Sequence, residues 1–254
     1  MTDSFSDIVE DRLLGERLKL LQPRHGHRAG TDALLLAAAT PAGFSGHIAD
    51  LGAGVGTVGL TSALLAPAAQ VTLVERDPGA AGLANRNIML NELESRVGLA
   101  AIDLFSGGAR REAGLRETVD LVLTNPPFHD AGAIRHSPNA AKRSAHVLEG
   151  GNLDDWMRAC ADVTRPGGHI VVIHRADAVQ ELLVSFDGRF GGVTVRPVHA
   201  YKDAPALRVL IAGRKGSRAP LHLMPPIILH ERGGSFTDEV AAINKGEARI
   251  SISL

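Results

Sequence analysis

The chain is short of cysteine, aromatic residues and long apolar runs, and each shortage excludes a class of protein. Its 254 residues include a single cysteine, Cys160, so no disulfide can form within the chain. One tryptophan, one tyrosine and seven phenylalanines leave aliphatic residues to fill the core. The longest apolar runs, such as Ala33–Ala39, are too short to cross a bilayer. The N-terminus is acidic, unlike a signal or transit peptide, so we expect a cytoplasmic protein without a membrane segment.

Positive charge collects in one late part of the chain, although the net charge is only -1. Residues 196–218, here called the late basic segment, contain six basic residues and one acidic residue. Two shorter basic segments lie at residues 24–28 and 135–146. Nucleic-acid binding depends on a local patch rather than on the net charge. A solvated face is the alternative interpretation of this pattern.

Apolar strands alternate with helical stretches along most of the chain, which predicts a parallel sheet covered by helices. The predicted strands are His47–Leu51, Gln70–Glu75, Val97–Asp103, Val119–Thr124 and His169–His174. The predicted helices are Thr57–Ala66, Pro78–Leu93, Leu153–Thr164 and Ala176–Phe186. Two late runs, Val193–His199 and Leu207–Ala212, predict an antiparallel hairpin at one sheet edge. The expected fold is α/β, with about seven strands in one mostly parallel sheet.

The first part of the chain predicts an extension to this sheet. Apolar alternation around Gly15 predicts a small hairpin. Thr31 or Asp32 is predicted to cap a helix over Ala33–Ala39, which Pro41 ends. We therefore expect one domain over residues 1–254, with residues 1–44 as an N-terminal hairpin and helix.

A glycine-rich loop follows the first predicted strand of the sheet. Gly52, Gly54 and Gly56 come directly after Asp50 and Leu51 and open a predicted helix. Such a turn at the carboxyl end of a parallel strand is a nucleotide-binding position. A dinucleotide fingerprint needs a third glycine at position 57, where this chain has threonine. The loop with its preceding acid instead favours a ligand with an adenosine and an amino-acid tail, as in S-adenosylmethionine.

Two carboxylates at the ends of the next strands fit the same ligand. Glu75 is placed to accept hydrogen bonds from both ribose hydroxyls. Asp103 is placed to accept one from the adenine amino group, while Ile102 and Leu104 line the ring. Each acid alone could be an ordinary loop carboxylate. Their register with the glycine loop favours a cofactor site.

The tetrapeptide Asn125-Pro126-Pro127-Phe128 follows the fourth strand. An amide or exocyclic amine is a poor nucleophile because its lone pair is delocalised. The Asn125 side-chain oxygen and the Pro126 carbonyl can each accept one N–H from such a nitrogen and direct its lone pair at a methyl donor. The prolines restrict the backbone, and Phe128 offers a face for stacking. The motif predicts nitrogen methylation by positioning and electrostatics, with Asn125 next to the cofactor as well as the acceptor.

The residues after this tetrapeptide are candidates for contact with the acceptor. His129 follows it directly, and residues 129–151 form a long segment that contains Lys142 and Arg143. The histidines of the chain have no compact metal-ligand spacing, and so we expect no metal site. Cys160 lies in an apolar helix and is expected to be a core residue.

Nearly the whole chain resembles the bacterial tRNA adenine-N6 methyltransferases that modify an anticodon-loop adenine of a valine tRNA. The similarity includes Gln22-Pro23 leading into Gly26–Leu35, Asn125–Phe128, Arg165–His169, Ala206–Leu210 with Lys215-Gly216, and Phe236–Val240. It implies a class I Rossmann-like methyltransferase that uses S-adenosylmethionine and acts on RNA. By similarity, Gly52, Gly54, Gly56, Glu75 and Asp103 hold the methyl donor, and Asn125 to Phe128 hold the target adenine.

Other acceptors remain open. His129 after Phe128 resembles the rRNA guanine-N2 methyltransferases, and the Asp50–Gly54 stretch is shared with release-factor glutamine methyltransferases. A cofactor-binding RNA module without catalysis is an alternative of another class. For an RNA acceptor, we predict that the three basic segments bind its phosphates together. The expected contacts are Arg28, His129, Lys142, Arg143, Lys215 and Arg218.

Overall fold

The computed structural model of the protein describes residues 8–25, 30–127 and 152–252. Its strands are β1 (Ile8–Leu13), β2 (Leu18–Pro23), β3 (His47–Leu51), β4 (Gln70–Val74), β5 (Val97–Ala100), β6 (Val119–Thr124), β7 (Thr164–Arg175), β8 (Phe190–His199), β9 (Ala206–Lys215), β10 (His222–Leu223) and β11 (Ile227–Ile228). Its helices are α1 (Thr31–Ala38), α2 (Thr57–Leu65), α3 (Pro78–Leu90), α4 (Gly107–Glu112), α5 (Leu153–Val163), α6 (Val179–Phe186) and α7 (Asp238–Lys245). A 3-10 turn at Ala176–Ala178 precedes α6.

One large sheet has the strand order β10-β8-β9-β7-β6-β3-β4-β5, and β11 also pairs with β8. Strands β5, β4, β3, β6 and β7 run parallel, whereas β9 runs antiparallel to both β7 and β8. The predicted α/β fold with an antiparallel edge hairpin is confirmed. The two-residue strands β10 and β11 add to the seven predicted strands, and they are too short to leave an alternation in the sequence.

The parallel strands β3 to β7 all end at one edge of the sheet, here called the carboxyl edge, and they begin at the amino edge. Loops that follow parallel strands form ligand sites at such an edge. The β3–α2 loop and the residues after β6 both lie there. The glycine loop and the start of the Asn-Pro-Pro motif are therefore neighbours across one strand pair.

Helix α1 begins differently from the prediction. Its N-cap is Gly30, whose extended backbone (φ -140°) accepts the N–H of Ala33 at 3.1 Å, and no side chain caps the helix. The Asp32 carboxylate instead accepts a hydrogen bond from Arg208 at 2.8 Å. The prediction of a Thr31 or Asp32 cap is wrong, because the glycine starts the helix one residue earlier and Asp32 has a partner on β9.

The N-terminal hairpin packs on the same face of the sheet as α1 and α2. Leu14, Leu18 and Leu20 are buried in one apolar cluster with residues of these helices and of α7. A second cluster on the other face contains Trp156, Cys160 and the buried side of α6. No helix in the described part of the chain is long and apolar enough to cross a membrane. The assignment of residues 1–254 to one domain stays a prediction.

Candidate active site

The β3–α2 loop turns through three glycines in the left-handed region. Gly52, Gly54 and Gly56 have φ values of 76°, 56° and 91°, and Gly56 directly precedes α2. A Cβ on Gly52 would lie 2.9 Å from the Trp156 ring, so a larger residue would displace a buried indole. A Cβ on Gly54 would meet nothing within 4 Å. The backbone at Gly54 therefore borders open space that a ligand can approach.

Two carboxylates hold this loop by accepting backbone hydrogen bonds. Asp50 Oδ2 accepts the N–H of Gly59, and Glu75 Oε2 accepts the N–H of Gly54, both at 2.8 Å. The other oxygen of Glu75 accepts the N–H of Asp77 at 2.8 Å. Burial raises the pKa of Asp50 to about 7, although the Gly59 bond opposes the rise. Each carboxylate oxygen has a second lone pair, so Glu75 can still accept hydroxyl donors.

A cavity of about 970 Å³ lies beside the glycine loop. This volume suits a small-molecule site, for which about 300–1,000 Å³ is usual. The wall brings together four predicted site residues: Asp50, Gly52, Gly54 and Asn125. Other parts of the wall come from residues 53–55 and 57–58, from several residues between Asp77 and Arg86 at the start of α3, and from Ile8 and Pro23 of the hairpin. The sequence interpretation did not include the α3 and hairpin residues.

Trp156 of α5 connects the ends of β3 and β6 at this cavity. The Thr124 hydroxyl donates to the carbonyl of Leu51 at 2.7 Å and accepts the Trp156 indole N–H at 3.0 Å. The indole also packs edge-on against Phe105, with ring centroids 5.8 Å apart. These buried contacts fix the positions of the glycine loop and the Asn-Pro-Pro motif relative to each other.

Asn125 follows β6 and lines the cavity. Its Oδ1 is buried and accepts no hydrogen bond from any residue that the structure describes. Leaving a buried acceptor unsatisfied costs about 1–3 kcal/mol. Pro126 is also buried, whereas Pro127 is exposed. The unpaired oxygen therefore offers a hydrogen-bond acceptor that a bound amine or amide can use.

Two asparagines of α3 fix the N-terminal hairpin beside the cavity. Asn87 accepts the N–H of Leu21 at 2.7 Å and donates to the carbonyls of Leu21 and Val55, both at 2.9 Å. One helical turn later, Asn91 bonds the N–H and carbonyl of Lys19 at 2.9 and 2.7 Å. The two side-chain amides bond the backbone N–H and carbonyl groups of β2, as the backbone of an adjacent strand would. Their i, i+4 spacing was the signal in the sequence, but it does not identify the partner strand.

The methyltransferase small-domain family matches residues 27–153, which is half of the chain. The chain belongs to this family. It is an S-adenosylmethionine-dependent methyltransferase, so the predicted enzyme class and cofactor are confirmed. The cavity volume and the glycine loop fit this cofactor. Glu75 and Gly56 are not part of the cavity wall, but Glu75 bonds the Gly54 backbone and keeps acceptor capacity beside it.

Three relatives show how far the similarity extends. The tRNA1(Val) (adenine(37)-N6)-methyltransferase of Porphyromonas gingivalis is 30% identical over 159 residues, and the match spans 61% of this chain and 61% of that protein's length. The release factor glutamine methyltransferase of Xylella fastidiosa is 30% identical over 212 residues, covering 72% of this chain and 73% of that protein. A solved structure of a predicted O-methyltransferase from Agrobacterium tumefaciens is 32% identical, covers 88% of this chain and 100% of its own, and has a TM-score of 0.74.

The residues predicted to bind adenine in this methyltransferase lie outside the cavity wall. Strand β5 ends at Ala100, three residues earlier than predicted, so Asp103 lies in the turn before α4. Asp103 is exposed, and its Oδ1 accepts the N–H of Phe105 at 3.0 Å. Leu104 is buried in the apolar cluster around Trp156. Contact of Asp103 and Leu104 with the cofactor stays a prediction.

Most of the predicted acceptor contacts cannot be compared with the structure. Arg28, Phe128, His129, Lys142 and Arg143 lie outside the described residues. Their roles therefore stay predictions.

Lys215 and Arg218 are described, and they lie at the amino edge of the sheet. Lys215 ends β9, where its ammonium donates to the carbonyl of Thr164 at 2.8 Å and lies 2.9 Å from a Glu117 carboxylate oxygen. The backbone of Arg218 lies against Gly191 near the start of β8. Both residues lie at the opposite edge of the sheet from the cavity, because antiparallel β9 runs away from the carboxyl edge, and their contact with RNA stays a prediction.

Proposed function

We propose that this methyltransferase transfers a methyl group to the N6 amino group of an adenine in the anticodon loop of a tRNA. The observation that supports it most is the buried Oδ1 of Asn125, which has no partner among the described residues and lies on the same cavity wall as Gly52 and Gly54. The Porphyromonas relative carries this activity in its name. An RNA acceptor also implies that the enzyme works in the cytoplasm.

The donor half of the proposal assigns the cofactor to the 970 Å³ cavity. S-adenosylmethionine, when bound, supplies an electrophilic methyl group on a sulfonium. We assign Glu75 to the ribose hydroxyls, because the Gly54 and Asp77 bonds orient both of its oxygens and leave lone pairs free. Asp50 supports the amino-acid end, and Asp103 with Leu104 is assigned to the adenine.

The acceptor half rests on Asn125 and Pro126. An exocyclic amine has two N–H donors and a lone pair delocalised into the ring. The Asn125 side-chain oxygen and the Pro126 carbonyl can each accept one of these donors, which favours a pyramidal nitrogen. Preorganised acceptors of this kind stabilise the positive charge that develops on the nitrogen as the bond to the methyl group forms and the sulfur–methyl bond breaks. The nitrogen then releases one proton to solvent. Both residues belong to a buried strand end that Thr124 and Trp156 hold in place.

A second candidate acceptor has the same local chemistry. A glutamine side-chain amide also presents two N–H donors and a delocalised lone pair, so Asn125 could hold it in the same way. The Xylella relative acts on release-factor glutamine, as its name states. The geometry around Asn125 alone therefore selects a planar nitrogen rather than one class of acceptor.

Mass spectrometry of methylated products tests the proposal. The purified protein and S-adenosylmethionine are incubated separately with unmodified tRNA, ribosomal RNA and a release factor, and Asn125→Ala is the control for each reaction. We expect N6-methyladenosine in the tRNA digest only, and none with the control variant. N2-methylguanosine in the ribosomal RNA digest, or methylglutamine in the release factor, would contradict the proposal and identify guanine or glutamine as the acceptor. No product with any of them would favour the RNA-binding module without catalysis.

A further inference from the structure

Three aromatic rings form a stack at some distance from the donor cavity. The ring centroids of Tyr201 and His230 are 5.7 Å apart, and those of His230 and Phe236 are 5.0 Å apart with planes only 20° from parallel. His230 is the half-buried middle ring. The outer rings, Tyr201 and Phe236, are 44% and 42% exposed. The Tyr201 ring is tilted by 41° to that of His230. These three rings, here called the aromatic stack, leave much of Tyr201 and Phe236 exposed to solvent.

The aromatic stack lies on the carboxyl edge, as Asn125 does. Strand β8 ends there at His199, and Tyr201 is in the turn that follows. The N–H of His230 donates to the carbonyl of Ala200 at 3.0 Å and extends β11 past the same edge. Strands β7 and β9 separate β6 from β8, and β11 lies beyond β8, so three to four strand spacings of about 4.8 Å put the stack about 14–19 Å from Asn125 along the sheet.

The charges around the stack are nearly balanced. A cavity of about 400 Å³ lies against it, lined among others by Lys202, Asp203, His230, Glu231, Arg232 and Glu239. Arg232 is almost fully exposed and lies 3.4 Å from Asp203, a contact that water screens. Three acids among these side chains make the site a weak phosphate patch, in which Lys202 has no ion pair among the described residues. Its attraction for a ligand comes mainly from the ring faces.

Exposed aromatic rings are unusual in the part of the chain that the structure describes. The chain has one tyrosine and seven phenylalanines, and the core is filled mostly by aliphatic residues. The sole tyrosine is nevertheless at the surface, next to a second exposed ring. In addition, His230 Nδ1 is buried and has no hydrogen-bond partner among the described residues. Core packing explains neither the exposed rings nor the unpaired nitrogen.

We propose that the aromatic stack binds unpaired bases of the RNA acceptor that flank the target adenine. This inference rests on the proposed function, since it takes an RNA as the ligand. Every base has a flat π face, so stacking on Tyr201 and Phe236 tolerates different sequences. The distance from Asn125 leaves room for a short single-stranded segment between the target base and the stack.

The sole tyrosine gives a site-specific test. Protein labelled with fluorotyrosine has one fluorine resonance, and we expect it to shift when unmodified tRNA or a single-stranded oligoadenylate is added. Tyr201→Leu and Phe236→Leu should each weaken RNA affinity by about 5- to 150-fold. S-adenosylmethionine affinity should not change. Leu223→Ala is the matched control, because Leu223 is 75% exposed and lies on β10, outside the stack.

Salt dependence separates stacking from phosphate contact. Loss of a phosphate contact lowers the slope of log affinity against log salt by about one unit. We expect Tyr201→Leu to lower affinity at every salt concentration and to leave this slope unchanged. A reduced slope would overturn stacking as the role of the residue.

The remaining outcomes distinguish the two proposals. An unmoved resonance and full affinity in both variants, with tRNA still methylated, would overturn the aromatic stack as a base-binding site and leave the proposed function intact. Absence of RNA binding together with methylation of a release factor would overturn the proposed function, and with it the RNA ligand of the stack.

Discussion

The donor and acceptor sides of the carboxyl edge differ in how their buried polar groups are satisfied. On the donor side, Asp50 and Glu75 accept backbone N–H groups, and the Thr124 hydroxyl has two partners. On the acceptor side, Asn125 Oδ1 and His230 Nδ1 are buried with no partner in the described ranges. Buried polar groups are nearly always paired. On the donor side the fold itself satisfies these polar groups, whereas on the proposed acceptor side two buried polar atoms have no partner among the described residues and are available to a ligand.

Removing the acceptor atom of Asn125 is the strongest test of this difference. We expect Asn125→Ala to lower turnover by roughly 100- to 1000-fold, because one preorganised polar group at the reacting nitrogen is lost. S-adenosylmethionine affinity should stay unchanged, since the donor side does not need this oxygen. Single-turnover kinetics and calorimetry measure the two effects. A variant with near-normal turnover would show that Asn125 does not hold the acceptor.

The pH dependence of stability tests whether the Asp50 carboxyl on the donor side is protonated in the folded protein. The folded protein keeps the Asp50 proton up to about pH 7, whereas an ordinary aspartate loses it near 3.8. The folded state therefore binds more protons between these values, and its stability falls as the pH rises through that window. Asp50→Asn removes this dependence.

We expect the wild type to lose roughly 2 kcal/mol more than Asp50→Asn between about pH 5 and about pH 7. Urea unfolding of both proteins at the two pH values measures the difference. Parallel pH profiles would mean that the Asp50 carboxylate is already ionised in the folded protein, and that burial does not control its pKa.

Gly52 and Gly54 separate the structural and ligand-binding functions of the loop. A Cβ at Gly52 meets the buried Trp156 ring at 2.9 Å, so Gly52→Ala should destabilise the fold by about 1–3 kcal/mol. A Cβ at Gly54 meets no atom, so Gly54→Ala adds only the strain of positive φ, about 1 kcal/mol. It should nevertheless weaken S-adenosylmethionine binding, because the methyl group occupies the ligand space. Thermal unfolding and calorimetry compare them, and unchanged cofactor affinity in Gly54→Ala would place the ligand elsewhere.

The donor side could be predicted from the sequence because its signals are local. Strand β3 has the predicted bounds, His47–Leu51, since a buried parallel strand is a short apolar run that a glycine ends. The spacing of Gly52, Gly54 and Gly56 belongs to the loop itself. Even here an error of three residues at the end of β5 moved Asp103 from a strand end to a turn.

Contacts between distant parts of the chain were not predictable in this way. Asn87 bonds Leu21 across 66 residues, and Trp156 bonds Thr124 across 32. The periodicity of a helix predicts which face is buried, but it does not predict which distant residue a polar side chain will bond. The aromatic stack was missed for the same reason, because Tyr201 and Phe236 each contact His230 only after β11 pairs with β8 and an antiparallel bridge joins His230 to Phe236.

The smallest expected effect concerns the late basic segment, whose two ends the structure separates. Lys202 lies in the turn at the carboxyl edge and has no ion pair among the described residues, whereas Lys215 is paired with Glu117 at the amino edge. If RNA lies along the carboxyl edge, Lys202→Ala should lower the salt slope of binding by about one unit and Lys215→Ala should leave it unchanged. Equal effects of the two variants would mean that the RNA also reaches the amino edge. The late basic segment would then act as one surface, and the contrast between the two ends would fail.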